Sequence, residues 1–597
     1  MCANGRVGVQ SSARSFVVKK SWIGRRRRRR RPAMDGLRRT AMATVARVAS
    51  SSLSSSSSSS LTSSASASCV LRWGGCGVGV RGTSSSSFTR NSSSGSGSRA
   101  TATTTTTESD DAARKMEIAI DRSGLRRALD RRRGKDADGS SSSSSSASST
   151  LDAPKREGLL GHLERAIKFA GGSIPMSEYV RECLTHPQYG YYMRGDVFGK
   201  KGDFVTSPEI SQVFGEMLGV WAALTYESLG SPKELRVVEF GPGRGTLMAD
   251  LLRGTAGFDK FREAVSVHFI EVSPALREMQ AKTLRCVDVE KTAVKSGFTA
   301  PKNVFDDEHG NARGDFSTPF VGEAHTRAKS EINGADVFWH DGLESVPPGP
   351  TLVICHEFFD ALPVRQFQRT DRGWCEKLIT IDSGLSEEGE QIQGVEKVAG
   401  RDLEMVLSPG PTPASHVLVS RRLKAVPKEQ ADSLRLLELS PPSLALWDRL
   451  ADHIEKHSGA VLAIDYGEEG PLGNTLEAIK DHKFVHVLDT PGEADLSAYV
   501  DFGGLRQIIE EKPGTGVKCY GPVTQQQLLL SLGLVARLEK LVENASSEDQ
   551  ADELIKGCER LVGEGAGDES KGEPPGMGIR YKAMSMVSRG VAKPVGF

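Results

Sequence analysis

The sequence has few of the features that mark membrane-spanning, zinc-binding or disulfide-rich proteins. No apolar run reaches about 18 residues, which predicts a soluble protein without a transmembrane helix. The nine cysteines stand singly, with no Cys-x-x-Cys pair and no neighbouring histidine pair. Neither a zinc site nor a disulfide framework is therefore indicated, and the thiols are best interpreted as free in a reducing compartment.

Acidic residues are nearly absent from the N-terminal segment. Asp35 is the only acid between Met1 and Thr107, while Arg25 to Arg31 form an unbroken basic run among serine and threonine tracts. Such a segment is too polar to bury a core, so we expect a disordered, organelle-targeting extension over residues 1–110 and a charged, serine-rich linker over 111–155. Composition favours the mitochondrion, with its matrix as the expected destination, and leaves the plastid as the alternative.

Two other interpretations of the basic run remain open. It is also compatible with a nuclear-import or nucleic-acid-binding tail, or with a reading frame that truly starts at Met34 or Met42. The net charge of +1 combines this basic tail with a mildly acidic body, which argues against a folded region that binds nucleic acid. That folded region is predicted over residues 156–597, with a polar surface insertion at about 286–335 and an acidic loop at about 563–578.

The stretch VVEFGPGRGTLMADLL, which begins at Val237, predicts a strand, a tight turn and a helix. Gly241, Gly243 and Gly245 at alternate positions permit a tight turn and let a ligand lie against bare backbone and the helix N-terminus. Glu239 beside the turn favours a cationic or hydroxyl-rich ligand over a phosphate. This pattern is typical of an S-adenosylmethionine site, although an ordinary glycine-rich turn remains the alternative for the motif taken alone.

Downstream segments predict further strands that end in polar residues. VSVHFIEV gives a second strand with Glu271 at its end, where an acid can bind ribose hydroxyls. Asp341 follows the short apolar stretch DVFW, and we predict that it also contacts the cofactor. The buried strands TLVICH and GAVLAIDYG follow. These strands alternate with helical segments and therefore predict an α/β open parallel sheet, with a ligand crevice along its carboxyl edge.

Ahead of this sheet, GDFVTSPEISQVFGEMLGVW predicts a polar loop that leads into a long amphipathic helix. Ser207 is suited to cap the helix and Pro208 to occupy its first position. We predict that Asp203 and Ser207 contact the cofactor as part of a lid, and the alternative is a surface turn that only caps its helix.

Taken in order, GDFVTSPEISQVFGEMLG, VVEFGPGRGTL, CHEFFDALPV, IDYG and PGEADLSAYVDF resemble the MidA family of Class I methyltransferases, over roughly residues 170 to 590. The resemblance implies a Rossmann-like, seven-strand methyltransferase sheet with added helical elements, and S-adenosyl-L-methionine as cofactor. Through the family's mitochondrial members that act in complex I assembly, it implies symmetric dimethylation of an arginine on the 49-kDa (NDUFS2-type) subunit of NADH:ubiquinone oxidoreductase. The family tends to carry an aromatic residue and an arginine after IDYG, where this chain has Leu476 and Glu477.

The segment HEFFD holds the candidate catalytic residues. An arginine acceptor is best oriented by carboxylates that pair with its planar fork, and Glu357 and Asp360 stand at the end of a central strand where such acids are expected. His356 is a candidate for proton removal. Phe358 and Phe359 are candidate walls of the acceptor channel. The alternatives are that the acids cap the next helix and that His356 is a structural hydrogen-bond partner.

Asp465 and Tyr466 either line the same crevice or simply end their strand. Two rival functions accompany the enzyme hypothesis. One is a non-catalytic complex I assembly factor that uses the methyltransferase fold only to bind its client. The other, a nucleotide-dependent oxidoreductase, is disfavoured by Glu239 and by the absence of Gly-x-Gly-x-x-Gly.

Overall fold

The computed structural model describes residues 158–193, 206–296, 320–381, 401–565 and 575–597. The predicted targeting extension and linker lie outside these ranges, as does Asp203. None of the helices in the described ranges combines the length and apolar character needed to cross a membrane.

The described chain contains eighteen strands. In chain order they are β1 Ser173–Pro175, β2 Leu235–Phe240, β3 Val265–Ile270, β4 Cys286–Ser296, β5 Phe320–Ser330, β6 Asp336–His340, β7 Thr351–His356, β8 Arg365–Thr370, β9 Gly373–Ile381, β10 Leu403–Pro411, β11 Leu436–Leu439, β12 Gly459–Glu468, β13 Glu477–Lys480, β14 Lys483–Val485, β15 Asp495–Ser497, β16 Val500–Asp501, β17 Lys518–Thr524 and β18 Tyr581–Val587.

Fifteen α-helices accompany these strands in the same ranges. They are α1 Gly158–Phe169, α2 Met176–Thr185, α3 Ser207–Ile210, α4 Gln212–Ser228, α5 Thr246–Thr255, α6 Asp259–Ala264, α7 Pro274–Thr283, α8 Ser420–Lys424, α9 Lys428–Ser433, α10 Pro441–His457, α11 Phe502–Glu510, α12 Gln525–Ser531, α13 Leu534–Glu543, α14 Glu548–Val562 and α15 Met577–Arg580.

The largest sheet has ten strands, in the order β17-β18-β12-β7-β2-β3-β6-β5-β4, with β16 paired to β12. Strands β6, β3, β2, β7 and β12 are mutually parallel, whereas β18 runs antiparallel to β12. The seven strands from β17 to β6 form the predicted methyltransferase sheet. The predicted α/β class is therefore confirmed, and the carboxyl ends of the parallel strands share one edge.

The central strands are apolar because both faces of the sheet are covered. Odd-numbered positions of β2, such as Val237, face a core that includes helices α4 and α5. Even-numbered positions, such as Val238, face a second core that includes α10 and α11. Side chains alternate between faces along a strand, so a strand covered on both sides carries a nearly continuous apolar run.

The segment predicted as a polar insertion contains two strands that its composition did not reveal. Strands β4 and β5 form an antiparallel hairpin, and β5 pairs with β6 to extend the sheet beyond its methyltransferase order. Because much of this hairpin lies at an open edge, its residues do not need the apolar alternation of a half-buried strand. The pattern therefore failed to predict it.

The long helix predicted from Ser207 is wrong in detail. The chain forms the short helix α3, and α4 begins after Ser211, whose hydroxyl accepts the backbone N–H of Val213. Thr206 is the residue before α3, so Ser207 is the first residue of that helix and not its predicted cap, and Pro208 is its second residue and not, as predicted, its first. The Ser207 side chain points to the acid cluster described below.

Two smaller sheets lie outside the methyltransferase order. One joins β1, β9, β8 and β11, with β10 paired to β9, and the other joins β14, β13 and β15. The added elements therefore include strands as well as the predicted helices. The acidic loop was predicted at 563–578. Residues 563–565 and 575–578 of this loop are described, and helix α15 begins at Met577 within it.

Candidate functional site

The glycine turn after β2 has the backbone that its sequence predicts. Gly241, Gly243 and Gly245 have φ angles of 57°, 52° and 81°, in the left-handed region that side chains disfavour. A Cβ added at Gly241 would lie 2.8 Å from Phe358 Cδ2. The turn therefore needs glycine for its conformation, and at Gly241 also for close packing.

The Glu239 side chain is buried, and one of its carboxyl oxygens has no hydrogen-bond partner in the described chain. Its side chain is 3 % exposed, and Oε2 is buried without a hydrogen-bond partner among the described residues. Burial raises the pKa of this carboxyl well above its ordinary value. A buried acceptor without a donor is costly, so the site is complete only when a cation or hydroxyl donor approaches Oε2.

Glu271 lies next to this turn. Its Oε1 accepts the Ser273 N–H at 2.8 Å and its Oε2 accepts Gln280 Nε2 at 3.1 Å. Burial raises the pKa of Glu271 to about 7, although these two donors oppose the shift. Gln280 Nε2 also donates to the Gly243 carbonyl at 2.8 Å, so one side chain joins the glycine turn to the predicted ribose acid.

Asp341 is joined to the same edge through Arg277. The Arg277 guanidinium is 2 % exposed and donates from Nε to the Glu271 carbonyl at 2.8 Å. It also pairs with the Asp341 carboxylate, which is largely exposed. The predicted cofactor residues at the ends of β2, β3 and β6 are therefore brought together by hydrogen bonds.

Sequence analysis missed Gln280 and Arg277. Both lie on α7, three positions apart, and both side chains are buried. Residues at this spacing share a helix face. The sequence offered one signal for these residues. Two long polar side chains occur on the buried face of the helix that follows Glu271.

The acid cluster consists of His356, which is the last residue of β7, and of Glu357 and Asp360, which follow that strand. Glu357 has a φ of 47°, which is strained for a residue with a side chain. Its Oε1 accepts the Ser207 N–H at 3.1 Å and the Ser207 hydroxyl at 3.4 Å. Ser207 therefore holds Glu357 in position. The predicted contact between Ser207 and the cofactor stays a prediction.

His356 lies beside Glu357 in this cluster. Its Nε2 lies 3.1 Å from Glu357 Oε1, but not in hydrogen-bond geometry, and has no other partner among the described residues. The ring packs against Phe214, with centroids 4.8 Å apart. This buried nitrogen is available to a ligand near Glu357.

Asp360 carries the second unpaired oxygen of the site. Its Oδ1 is buried and has no hydrogen-bond partner in the described chain. Burial first, and then the neighbouring Glu357 carboxylate, raise the pKa of Asp360 to about 7, while the Tyr466 hydroxyl lowers it by hydrogen bonding. Asp360 is thus poised to lose or accept a proton near neutral pH.

Asp465 does not line the crevice as a free acid. Its Oδ2 accepts the backbone N–H groups of Phe358, Phe359 and Asp360 at 3.1, 3.0 and 3.3 Å. Its Oδ1 accepts the Tyr466 N–H at 2.9 Å. Asp465 therefore shapes the loop that carries the acid cluster. The alternative that Asp465 and Tyr466 simply end their strand is wrong, because β12 continues to Glu468.

The two phenylalanines of HEFFD have different environments. Phe358 lies over Gly241 and packs edge-on against Phe240, with centroids 5.3 Å apart. Phe359 is 2 % exposed and packs against Trp447 in the core. The prediction that both wall the acceptor channel is therefore wrong for Phe359, because the loop turns it inward.

Three tyrosines lie beside the acids. Tyr466 contacts Tyr499 and Tyr581 edge-on, with centroids 5.2 and 5.7 Å apart. Tyr581 lies opposite Tyr466 in the β12–β18 pair, and burial followed by the Glu357, Asp360 and Asp465 charges raises its pKa well above the ordinary value. Sequence analysis named only Tyr466, since the other two come from distant segments.

One possible metal-binding group lies elsewhere. His162, Glu182 and His186 place ligand atoms within 4.8 Å of one another. Glu182 already pairs with Arg181 at 2.9 Å and with His162 at 3.2 Å. His186 Nδ1 accepts two backbone N–H groups. These atoms are committed to protein partners.

Comparison with known proteins identifies the family. Residues 217–523 match the model of the family described as "Putative S-adenosyl-L-methionine-dependent methyltransferase". The chain is 36 % identical over 441 residues to the protein arginine methyltransferase NDUFAF7, mitochondrial, of Xenopus tropicalis, covering 73 % of this chain and 87 % of that protein. This chain belongs to the MidA-like family of S-adenosyl-L-methionine-dependent methyltransferases.

Other relatives agree. The Drosophila melanogaster homologue of NDUFAF7 is 38 % identical to this chain over 434 residues. The alignment covers 73 % of this chain and 86 % of the Drosophila protein. A crystal structure from Burkholderia thailandensis, bound to S-adenosyl-homocysteine, matches the fold with a TM-score of 0.52 at 23 % identity. The alignment covers 73 % of this chain and 93 % of the bacterial one. The unpaired Glu239 oxygen and the left-handed glycine turn fit the family's cofactor, S-adenosyl-L-methionine.

Proposed function

We propose that this methyltransferase modifies an arginine of a protein partner in the mitochondrion. In its specific form, the enzyme is a type II protein arginine methyltransferase that symmetrically dimethylates the 49-kDa (NDUFS2-type) subunit of complex I in the matrix, early in assembly. The names of the Xenopus and Drosophila relatives support the arginine substrate and the compartment. The arginine-rich, acid-poor N-terminal segment supports organelle import.

The unpaired Asp360 oxygen carries this proposal. Asp360 Oδ1 is buried without a donor, and Glu357 and the Tyr466 hydroxyl lie beside it. A guanidinium is a planar cation with several N–H donors, so it satisfies such an oxygen and the adjacent carboxylate together. A neutral acceptor would leave buried charge unpaired.

Each site residue then has a role. S-adenosyl-L-methionine supplies a methyl group on a sulfonium. Glu239 Oε2 would bind a cationic or hydroxyl group of that molecule, Glu271 would bind its ribose hydroxyls, and Asp341, which is paired with Arg277, would contact it from the end of β6. Glu357, held by Ser207, orients the acceptor guanidinium, and Asp360 Oδ1 takes the proton that the attacking nitrogen releases. His356 Nε2, which is buried without a hydrogen-bond partner in the described chain, is the second candidate for proton removal.

The direct test compares arginine methylation on the complex I 49-kDa subunit in cells with and without this protein. Intact-mass and fragment analysis should show a dimethylated arginine only when the protein is present, with fragments of the symmetric isomer. Asp360→Asn, which keeps the side-chain volume, should lose the modification and keep cofactor binding in calorimetry.

The same experiment tests the non-catalytic alternative. If the paired variants Glu357→Ala and Asp360→Ala bind cofactor, leave the subunit unmodified and still restore complex I assembly, assembly does not need methyl transfer. Loss of assembly together with loss of methylation supports the proposal.

A further inference from the structure

Arg580 lies on the tyrosines of the site. Its guanidinium carbon is 5.0 Å from the centroid of the Tyr466 ring and 5.1 Å from that of Tyr499. These two rings meet edge to face, with centroids 5.2 Å apart, and we call them the aromatic cage. The cage therefore already holds one guanidinium, which belongs to the chain itself.

This internal guanidinium is held without strong polar partners. Its Nε is buried and makes no hydrogen bond within the described part of the chain, and no carboxylate described there forms an ion pair with it. Contacts to ring faces are weaker than a bidentate pair with a carboxylate. Arg580 is the last residue of the four-residue helix α15, and Tyr581 begins β18 directly after it.

The cage adjoins the acids that the proposed function assigns to the acceptor. The Tyr466 hydroxyl hydrogen-bonds Asp360, whose Oδ1 is unpaired. Tyr466 also follows Asp465, which shapes the loop carrying Glu357. Tyr466 therefore contacts both Arg580 and Asp360, although no ion pair joins those two residues in the described chain.

We propose that the Tyr466–Tyr499 cage binds the acceptor arginine, and that Arg580 occupies it in the free enzyme and is displaced by the substrate. This inference rests on the proposed function for the identity of the acceptor. A planar cation is selected by the two ring faces and then gains the hydrogen bonds to Asp360 and Glu357 that Arg580 lacks. Arg580 acts as a competitor that rejects weakly bound cations.

The test measures binding of N-acetyl-arginine amide to the full-length protein with S-adenosyl-homocysteine bound, by calorimetry or ligand-observed NMR. Arg580→Gln should bind this probe at least about threefold more tightly than wild type, because the competing guanidinium is gone. Arg580→Lys, which keeps charge without a planar face, should be intermediate. Arg560→Gln, an exposed arginine on α14, is the matched control and should change nothing.

Two further arms separate a binding role from a structural one. Adding Tyr499→Leu to Arg580→Gln should remove the gain in affinity for N-acetyl-arginine amide. N-acetyl-citrulline amide, which is neutral, should bind no more tightly to Arg580→Gln than to wild type. Equal or weaker probe binding by both Arg580→Gln and Arg580→Lys overturns the inference. Because no methyl transfer is measured, this result is independent of whether the 49-kDa subunit is the substrate.

Discussion

Replacing Glu239 by glutamine should make the cofactor-free protein more stable and its cofactor binding weaker. The carboxyl is 3 % exposed, has an unpaired Oε2, and has a pKa that burial raises well above 4.5. Glutamine keeps the shape of the protonated side chain and removes the group that titrates. The natural residue is therefore expected to serve the ligand at the expense of the fold.

The sign of the pH effect follows from proton binding. Between pH 4.5 and the raised pKa, the folded protein retains a proton on Glu239 that the unfolded chain has released. The folded state binds more protons, so its stability falls as pH rises across this window, by about 1.4 kcal/mol per pH unit. For the 377 described residues, the entropy of unfolding converts this to about 1.8 °C per pH unit.

The assay is a pair of thermal unfolding curves for wild type and Glu239→Gln, recorded without cofactor from about pH 5.5 to about pH 7.5. Other raised acids, such as Glu271, titrate in both proteins and cancel in the difference. The difference in Tm should therefore grow with pH in favour of the variant. Glu263→Gln, whose side chain is 73 % exposed, is the control and should show no trend.

Cofactor binding should change in the opposite direction. Loss of a charge-assisted contact costs about 1.5–3 kcal/mol, which weakens the Kd for S-adenosyl-L-methionine by about 10- to 100-fold. A Glu239→Gln variant that is less stable than wild type at every pH, or that binds the cofactor with wild-type affinity, would refute the reasoning.

Four other predictions follow from the same geometry. Gly243→Val places a β-branched residue at a φ of 52°, so calorimetry should show no cofactor binding, whereas Gly257→Ala, in open space at an ordinary φ, should bind normally. Glu357→Gly relieves left-handed strain of about 1–2 kcal/mol, so Tm should hold or rise while methyl transfer is lost; wild-type turnover would contradict this. The pKa of Asp360 at about 7 predicts that kcat/KM rises about tenfold per pH unit below that value and levels above it, and that Asp360→Asn lacks this limb. Arg277→Leu strips partners from the buried Glu271 carbonyl and from Asp341, so urea unfolding should show a loss of about 2–3 kcal/mol; an unchanged midpoint would argue against the network.

The strand, turn and helix around Gly243 were predictable because their determinants are local. A positive φ at alternate residues needs glycine, and apolar runs of strand length mark a sheet covered on both faces. Glu271 and Asp341 were predictable for a related reason. The carboxyl ends of parallel strands meet at one edge, so polar residues that end such strands converge whatever lies between them.

Other parts of the site depend on contacts that no local pattern encodes. Arg277 and Gln280 were visible only as buried polar residues on a helix. Asp465 was expected either to line the crevice or to end its strand, but its carboxylate accepts three N–H groups from a loop about a hundred residues earlier. Phe359 was expected in the channel and lies in the core, because the direction of a loop side chain is set by the packing around it.

By itself, the sequence determined the sheet, the glycine turn and the acids at its edge, since these follow from residue type, periodicity and the geometry of parallel strands. Only the tertiary structure decided which acids remain unpaired, and that Arg580 lies on Tyr466 and Tyr499. Those properties depend on which side chains from distant segments approach one another. Neither the pairing of a buried oxygen nor the contents of a pocket is recorded in spacing along the chain.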